Sequence, residues 1–317
     1  MNKLPRVADL GPSLSGWGYF LCTQKEVRVG RSGGEFLILA LQDATGQVAG
    51  KIFENVQRFK AEFDAGEFVR VEARSGVYQG RLELAISTIR RVNPDQDRLQ
   101  GFREEDCVLS APRSIDEMWA ELTAHAESIA NPHVKVLIAR MLADHGADLR
   151  EWPAAQQIHH AYRGGFLEHI CSMMASGRAL AKVYGADEDL VIAGVILHDI
   201  GKLQELAYDA GRTSYTRDGN LVGHIALGII MVREAANHIQ GFPPELRSKL
   251  EHLVASHHGT REHGSPVEPK TIEAFILAAV DDLDARINQV RRAVREDAND
   301  EDFTGWHKRL NRVLYKG

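Results

Sequence analysis

Cysteine is scarce in this chain, and what there is lies scattered. Cys22, Cys107 and Cys171 are the only three in 317 residues and form no C-x-x-C pair, which excludes a disulfide framework and a thiolate zinc site. Packing is the expectation for all three. Long apolar runs are missing too: the longest, Leu190 to Leu197, is eight residues, against roughly 20 needed to span a bilayer, so no membrane partner is expected. The opening MNKLPRVADL has no apolar core of the secretory kind, and a cytoplasmic location is expected. No internal repeat or low-complexity tract interrupts the chain. Nor is there an overall excess of positive charge, since 38 Lys and Arg face 44 Asp and Glu. The imbalance is local: residues 1–93 carry 13 basic against 10 acidic residues, the remainder 25 against 34. A mildly basic module ahead of an acidic one is compatible with nucleic-acid binding by the first.

What is present reads as two domains, β then α. From Gly16 to Val92, short β-branched or alternating runs (YFLCTQKEVRV, EFLILALQD, GQVAGKIF, FVRVEARSGVY and RLELAISTIRRV) are punctuated by glycine pairs and turns, which predicts five strands. A helical interruption from Glu54 to Phe63 falls between the third and fourth, where a five-stranded oligonucleotide-binding (OB) barrel carries its helix. Residues 1–92 are therefore expected to form an OB-like nucleic-acid-binding domain. Trp17, Tyr19, Phe20, Phe53 and Tyr78, with Arg28, Arg31, Lys51, Arg74 and Arg81, supply the aromatic and basic groups such a barrel uses. Lys51, Arg74 and Arg81 are the substrate-binding candidates here. Residues 93–113, polar and broken by Pro94, Gly101 and Pro112, predict a linker. Residues 114–317 change to a helical period. Ser114 and Asn131-Pro132 mark two helix starts, and further helices are expected at about 166–184, 187–200, 221–239, 244–257, 270–296 and 303–315, with a short hairpin within Tyr208–Gly219.

The chemistry concentrates in the helical half. LVIAGVILHDIGK delivers His198 and Asp199 to the end of an apolar helix, yet 14 His and 20 Asp in 317 residues yield about one such pair by chance. The other elements carry the weight. His169 lies early in one helix, His224 follows Gly223, His257 and His258 precede Gly259, and Asp281 sits in AAVDDLDARI. Buried imidazoles and carboxylates need partners, and a metal serves them in common. In the last long helix Ile276, Val280, Leu283, Ile287 and Val290 predict the buried stripe, with Asp281 flanking it beside Asp284 and Asp282 turned outward. One arrangement uses every candidate: His169, His198, Asp199 and Asp281 hold one divalent ion, and Asp199 bridges to a second held by His224, His257 and His258. Such imidazole-rich ligation favours Mn, Fe, Co or Zn over Mg. Two ions about 3.5–4 Å apart activate water and neutralise a phosphodiester. Lys202 and Arg163 are candidates for substrate phosphate, Lys202 with a catalytic role beside Asp199. Glu168 and Asp284 are expected behind the ligands or in solvent, and His159 and His160 are undecided. His125, His133, His145, His238, His252, His263 and His307 are read as packing or surface residues.

The pattern His169, His198-Asp199, His224, His257-His258, Asp281 resembles that of the HD-domain metal-dependent phosphohydrolases. The phrases HHAYRGGFLEH, LHDIGKL, GNLVGHIALG, SHHGTREHGSPVEP and AAVDDLDA, behind an OB-like module, resemble the YhaM family of 3′-to-5′ exoribonucleases over about residues 10 to 290. That resemblance implies a divalent metal, commonly Mn²⁺, and trimming of single-stranded RNA or DNA from the 3′ end to 5′-mononucleotides. Residues beyond about Arg292 match nothing in it. Two other readings stand beside it. One is an HD phosphohydrolase of nucleotides or cyclic dinucleotides with a regulatory barrel, the other a non-catalytic nucleic-acid-binding regulator. Homo-oligomerisation is left open.

Overall fold

Turn chemistry sets the first unit. The computed structural model describes residues 2–30, 33–154, 162–209, 212–297 and 299–317, and the chain divides into two compact units, one of residues 1–112 with 209–212 and one of 113–208 with 213–317. Strands β1 (Ser15–Val29), β2 (Glu35–Asp43) and β3 (Gly46–Ile52) are followed by helix α1 (Val56–Glu62), then β4 (Phe68–Tyr78) and β5 (Arg81–Arg91). Asp43 Oδ1 accepts from the Thr45 and Gly46 amides at 2.8 and 3.1 Å, bending the chain between β2 and β3. Period-two alternation then buries Leu37, Leu39 and Leu41 of β2 against Val69 and Val71 of β4. The strands close in the order β1-β2-β3-β5-β4, antiparallel except for β3 against β5, where Lys51 pairs with Ala85. This is the expected five-stranded OB-like barrel with its helix between β3 and β4.

Of residues 93–113, expected as a linker, those up to 112 belong to the barrel's unit. The Asn93 side chain caps α2 (Pro94–Asp97), and Phe102 and Cys107 join Tyr19, Leu21 and Val92 in a small core. Asp97 anchors the segment. It is fully buried, accepts two bonds from the Arg90 guanidinium at 2.6 and 2.7 Å and one from the Tyr19 hydroxyl at 2.8 Å. A polar sequence thus folds because one carboxylate gathers enough donors to repay its burial.

The second unit is helical, as expected: α3 (Ile115–Glu127), α4 (Pro132–Glu151), α5 (Gly165–Tyr184), α6 (Glu188–Leu197) and α7 (Lys202–Glu205) precede a hairpin of β6 (Leu206–Asp209) and β7 (Arg212–Tyr215). Then come α8 (Arg217–Leu221), α9 (His224–Asn237), α10 (Pro244–Ser256) and α11 (Ile272–Glu296). Ser114, Asn131 and Asp187 each accept amide bonds as N-caps of α3, α4 and α6. Every residue of α6 from Leu190 to Leu197 is buried, so this helix is the hub rather than an amphipathic face. Among the described residues no helix is long and apolar enough to cross a membrane.

Two expectations fail near the C-terminus. Residues 303–315 are not helical: β-bridges join Phe303 to Tyr315 and His307 to Arg312, closing a turn. Asn311 takes a left-handed conformation (φ 52°) at its tip, and Asp297 pins its base by accepting from the Gly305 amide and the Lys316 ammonium at 2.9 and 3.2 Å. In α11 the stripe is buried at Ile276 and Val280, but Leu283 and Ile287 are 52% and 42% exposed. The apolar period continues past the stretch that neighbouring helices cover, and periodicity alone carries no information about where cover ends.

Burial opposes ionisation of Asp97 less than Arg90, the Asn93 amide and Tyr19 favour it, so its pKa falls to about 2. A depressed folded-state pKa stabilises above the unfolded value of about 4 and loses that contribution as pH falls toward 2. Asp97→Asn is expected to cost about 3 kcal/mol at pH 7, with the gap between variant and parent narrowing below pH 4, as read by urea denaturation across pH.

Candidate metal centre

Helix ends aim the imidazoles. His198 is the first residue beyond α6 and His257 the first beyond α10, and each ring Nδ1 lies against the carbonyl three residues back, Val195 at 2.9 Å and Val254 at 2.8 Å. Each bond satisfies a carbonyl that the terminating helix leaves without a partner and turns the ring's Nε2 inward. His224 opens α9, where Glu205 accepts from both its backbone amide (2.9 Å) and its Nδ1 (3.0 Å). His169, in the second turn of α5, places Nδ1 2.7 Å from Asp284 and Nε2 3.2 Å from Asp281. The two aspartates sit three residues apart on one face of α11, so a single helix supplies both the contact at the inner nitrogen and the one behind it.

These groups converge as two clusters. Asp199, His224, His257 and His258 offer ligand atoms within 4.8 Å of one another, and so do His169, His198 and Asp281. Asp199 joins them. Its Oδ2 lies 3.3 Å from His198 Nε2, and its Oδ1 lies 3.4 Å from His224 Nε2 and 3.5 Å from His257 Nε2. Among the described residues, Asp199 Oδ1, the Nε2 atoms of His198, His224 and His257, and His258 Nδ1 are buried without a hydrogen-bond partner. Five such orphans in one place are costly unless something else binds them. The donor set, imidazole nitrogens and carboxylate oxygens with no thiolate, fits borderline divalent ions.

Charge keeps these groups in forms able to bind a cation. Burial opposes the Asp199 carboxylate, but Lys202 and His198 outweigh it and hold the pKa well below the usual range. Burial likewise opposes Asp281, which His169 foremost keeps ionised. His258 is pushed down to about 4 by burial and by His257, leaving a neutral donor ring. Burial disfavours the His169 cation too, yet Asp281 and Asp284 raise its pKa to about 9, so an incoming cation has a proton to displace there. The backbone is equally tight: a Cβ on Gly201, just after the His-Asp pair, would stand 2.0 Å from the His224 carbonyl oxygen. Only glycine lets the loop between α6 and α7 lie against the start of α9.

The remaining predicted residues divide. Lys202 is buried with its ammonium 2.6 Å from Asp199 Oδ2, and it lines a 250 Å³ cavity with Asp199, His257, His258 and Asp281. Arg163, expected as a phosphate fork, has its Nε–Nη2 edge taken by Glu151 at 2.5 Å. Arg31, His159 and His160 lie outside the described residues. On the barrel, Phe20 and Tyr19 are core, whereas Phe53 and Tyr78 are 63% and 57% exposed. Phe53 stacks on Phe36 at 5.6 Å, and both line a 500 Å³ groove with Lys51, Arg74 and Tyr78. Lys51 lies 4.4 Å from the centre of the Tyr78 ring and 2.6 Å from Glu83. Arg81, at the β4–β5 turn, is exposed but does not line the groove, and Arg28 pairs with Glu26.

Comparison with known proteins decides the family. Residues 166–286 match the HD domain and residues 22–92 the OB-fold nucleic acid binding domain. The 3′-5′ exoribonuclease YhaM of Halalkalibacterium halodurans is 35% identical over 301 residues, covering 94% of this chain and 92% of its own. That of Bacillus subtilis is 33% identical over 299 residues, covering 94% and 93%. The chain belongs to the YhaM family of 3′-5′ exoribonucleases. As a YhaM-family protein it is an enzyme, with an HD domain that implies divalent-metal binding. What the sequence reading missed in this YhaM-family site is Glu205, and it left Asp284 unresolved between support and solvent. Neither carried a signal, since an acid whose partner is a ring nitrogen from another helix looks like any surface carboxylate. Removing such a contact behind a ligand typically costs 10–100-fold in metal affinity. Glu205→Gln is expected to weaken divalent-ion binding by about that factor, as measured by calorimetric titration of the metal-free protein.

Proposed function

We propose that the chain hydrolyses single-stranded RNA, and single-stranded DNA by the same chemistry, from the 3′ end to 5′-mononucleotides at a dinuclear centre. The observation that carries the reading is the Asp199 carboxylate, whose two oxygens face different histidines. In this reading His169, His198, Asp199 and Asp281 hold one ion, while Asp199, His224, His257 and His258 hold the other. Manganese is the proposed metal, with Fe, Co or Zn compatible with the same imidazole-rich set. When bound, two such ions supply Lewis acidity and neutralise charge at the phosphodiester.

The chain's own groups do the rest. Lys202 holds Asp199 Oδ2 and keeps its own charge, because Asp199 outweighs the burial that opposes it; its place in the cavity wall lets the same ammonium face a substrate phosphate. Asp284 and Glu205 fix the rings of His169 and His224 and so their tautomers. The barrel groove binds the strand, with Phe36, Phe53 and Tyr78 stacking bases and Lys51 and Arg74 beside them on the backbone. Arg81 contributes long-range attraction from outside the groove. The relatives' activity, 3′-5′ exoribonuclease, supports the reaction in this reading.

The test is a ladder. Full-length protein with Mn²⁺ is expected to shorten 5′-labelled single-stranded RNA one nucleotide at a time, and Asp199→Ala to lower the rate about 10³-fold or more, since several kcal/mol of electrostatic stabilisation go with the ligand. Hydrolysis confined to mononucleotides or cyclic dinucleotides would overturn the exonuclease reading. Full activity in Asp199→Ala would remove the chemistry from this centre.

A further inference from the structure

The cavity over the histidine cluster shares a wall with another. His263, Asp282 and Arg286 line both it and a 770 Å³ groove that continues along α11 past Gln289 to the C-terminal turn, where Arg309 and Arg312 line the far end. That turn belongs to the stretch in which no family motif is legible, yet it is built. The Thr304 amide donates to the Leu314 carbonyl at 2.8 Å, the His307 amide to the Arg312 carbonyl at 2.9 Å, and the Leu314 side chain is buried. A fixed turn holds its arginines in place without the ordering cost of a free tail.

The charges in the groove are informative. Arg286 is paired with Asp282 at 2.7 Å, in contact with solvent. Arg309 and Arg312 are exposed, and among the described residues neither has an ion pair with a carboxylate; Arg312 donates only to the Leu310 carbonyl, at 2.8 Å. Carboxylates are plentiful in this acidic domain, so two uncompensated guanidiniums on one wall of a groove that leads out of the metal-ligand cluster mark a surface for anions. A guanidinium grips a phosphate by two parallel bonds, which an ammonium does not.

We propose that this groove carries the single strand leading away from the scissile bond, with Arg309 and Arg312 each binding a backbone phosphate on its 5′ side. The assignment rests on the exonuclease reading above and adds a second contact surface to it, within the helical unit itself. The ligand is a run of phosphodiesters rather than a free nucleotide, since the arginines lie at the far end of a groove shared with the catalytic cavity.

The experiment compares two substrates on full-length protein with Mn²⁺: a 5′-labelled tetranucleotide of RNA, and bis(p-nitrophenyl) phosphate, which has no neighbouring phosphate. Arg309→Ala with Arg312→Ala is expected to lower kcat/KM on the tetranucleotide about tenfold or more, mainly through KM. The loss on the minimal diester should be at least severalfold smaller, and the salt dependence on the tetranucleotide should flatten. Arg309→Lys with Arg312→Lys, which keeps the charge, is expected to recover most of the salt dependence but only part of KM. Equal losses on both substrates would make the turn merely structural and overturn the proposal, as would an unchanged KM for the tetranucleotide. Parent protein that cleaves the minimal diester but never the tetranucleotide would instead overturn the exonuclease reading, and this inference with it.

Discussion

The structure of the helical unit depends on a charge buried with incomplete compensation. Asp199 is 3% exposed, and its Oδ2 is answered by Lys202, while its Oδ1 faces two imidazole nitrogens without hydrogen-bonding either. A buried carboxylate left in that state costs several kcal/mol unless a further cation is present. Around it the fold is consistent: α6 is apolar on every side and fixes the residue that follows it, and α5, α9, α10 and α11 each bring a ligand-type side chain to the same place. Local cost at the centre is tolerated because burial around it is extensive, the pattern expected where structure serves a bound group rather than its own stability.

Much of this was legible beforehand, for identifiable reasons. Strand alternation in EFLILALQD, and glycine or Asx turns between strands, encode the barrel locally. The clustering of His169, His198, His224, His257 and Asp281 was legible because each interrupts an apolar run, and polar groups in buried positions need a partner. The supports behind the ligands were not. Asp284 and Glu205 act through contacts across 115 and 19 residues of sequence, and their own neighbourhoods are unremarkable on a helical period.

The errors have a common cause in the difference between pattern and cover. Leu283 and Ile287 keep the helical period of α11 but lose the neighbours that would bury them. Arg163 looks wholly available for phosphate in sequence, whereas in the fold Glu151 occupies its Nε–Nη2 edge. The segment at 303–315 has enough apolar residues for a helix, yet Asn311 and the Asp297 anchor favour a closed turn. In each case a tertiary partner, invisible to periodicity, decides the outcome. The same holds for the barrel aromatics, where Phe20 and Phe53 are both plausible stacking residues in sequence and only the fold assigns one to the core and the other to the groove.

The proposed dinuclear centre requires the Asp199 carboxylate to reach two metal positions. The most direct test is a titration of metal-free protein with Mn²⁺ followed by electron paramagnetic resonance and by metal content after gel filtration. Two ions per chain with a spin-coupled signal that is lost in Asp199→Asn are expected. A single ion per chain, or two ions whose spectra show no coupling, would contradict it.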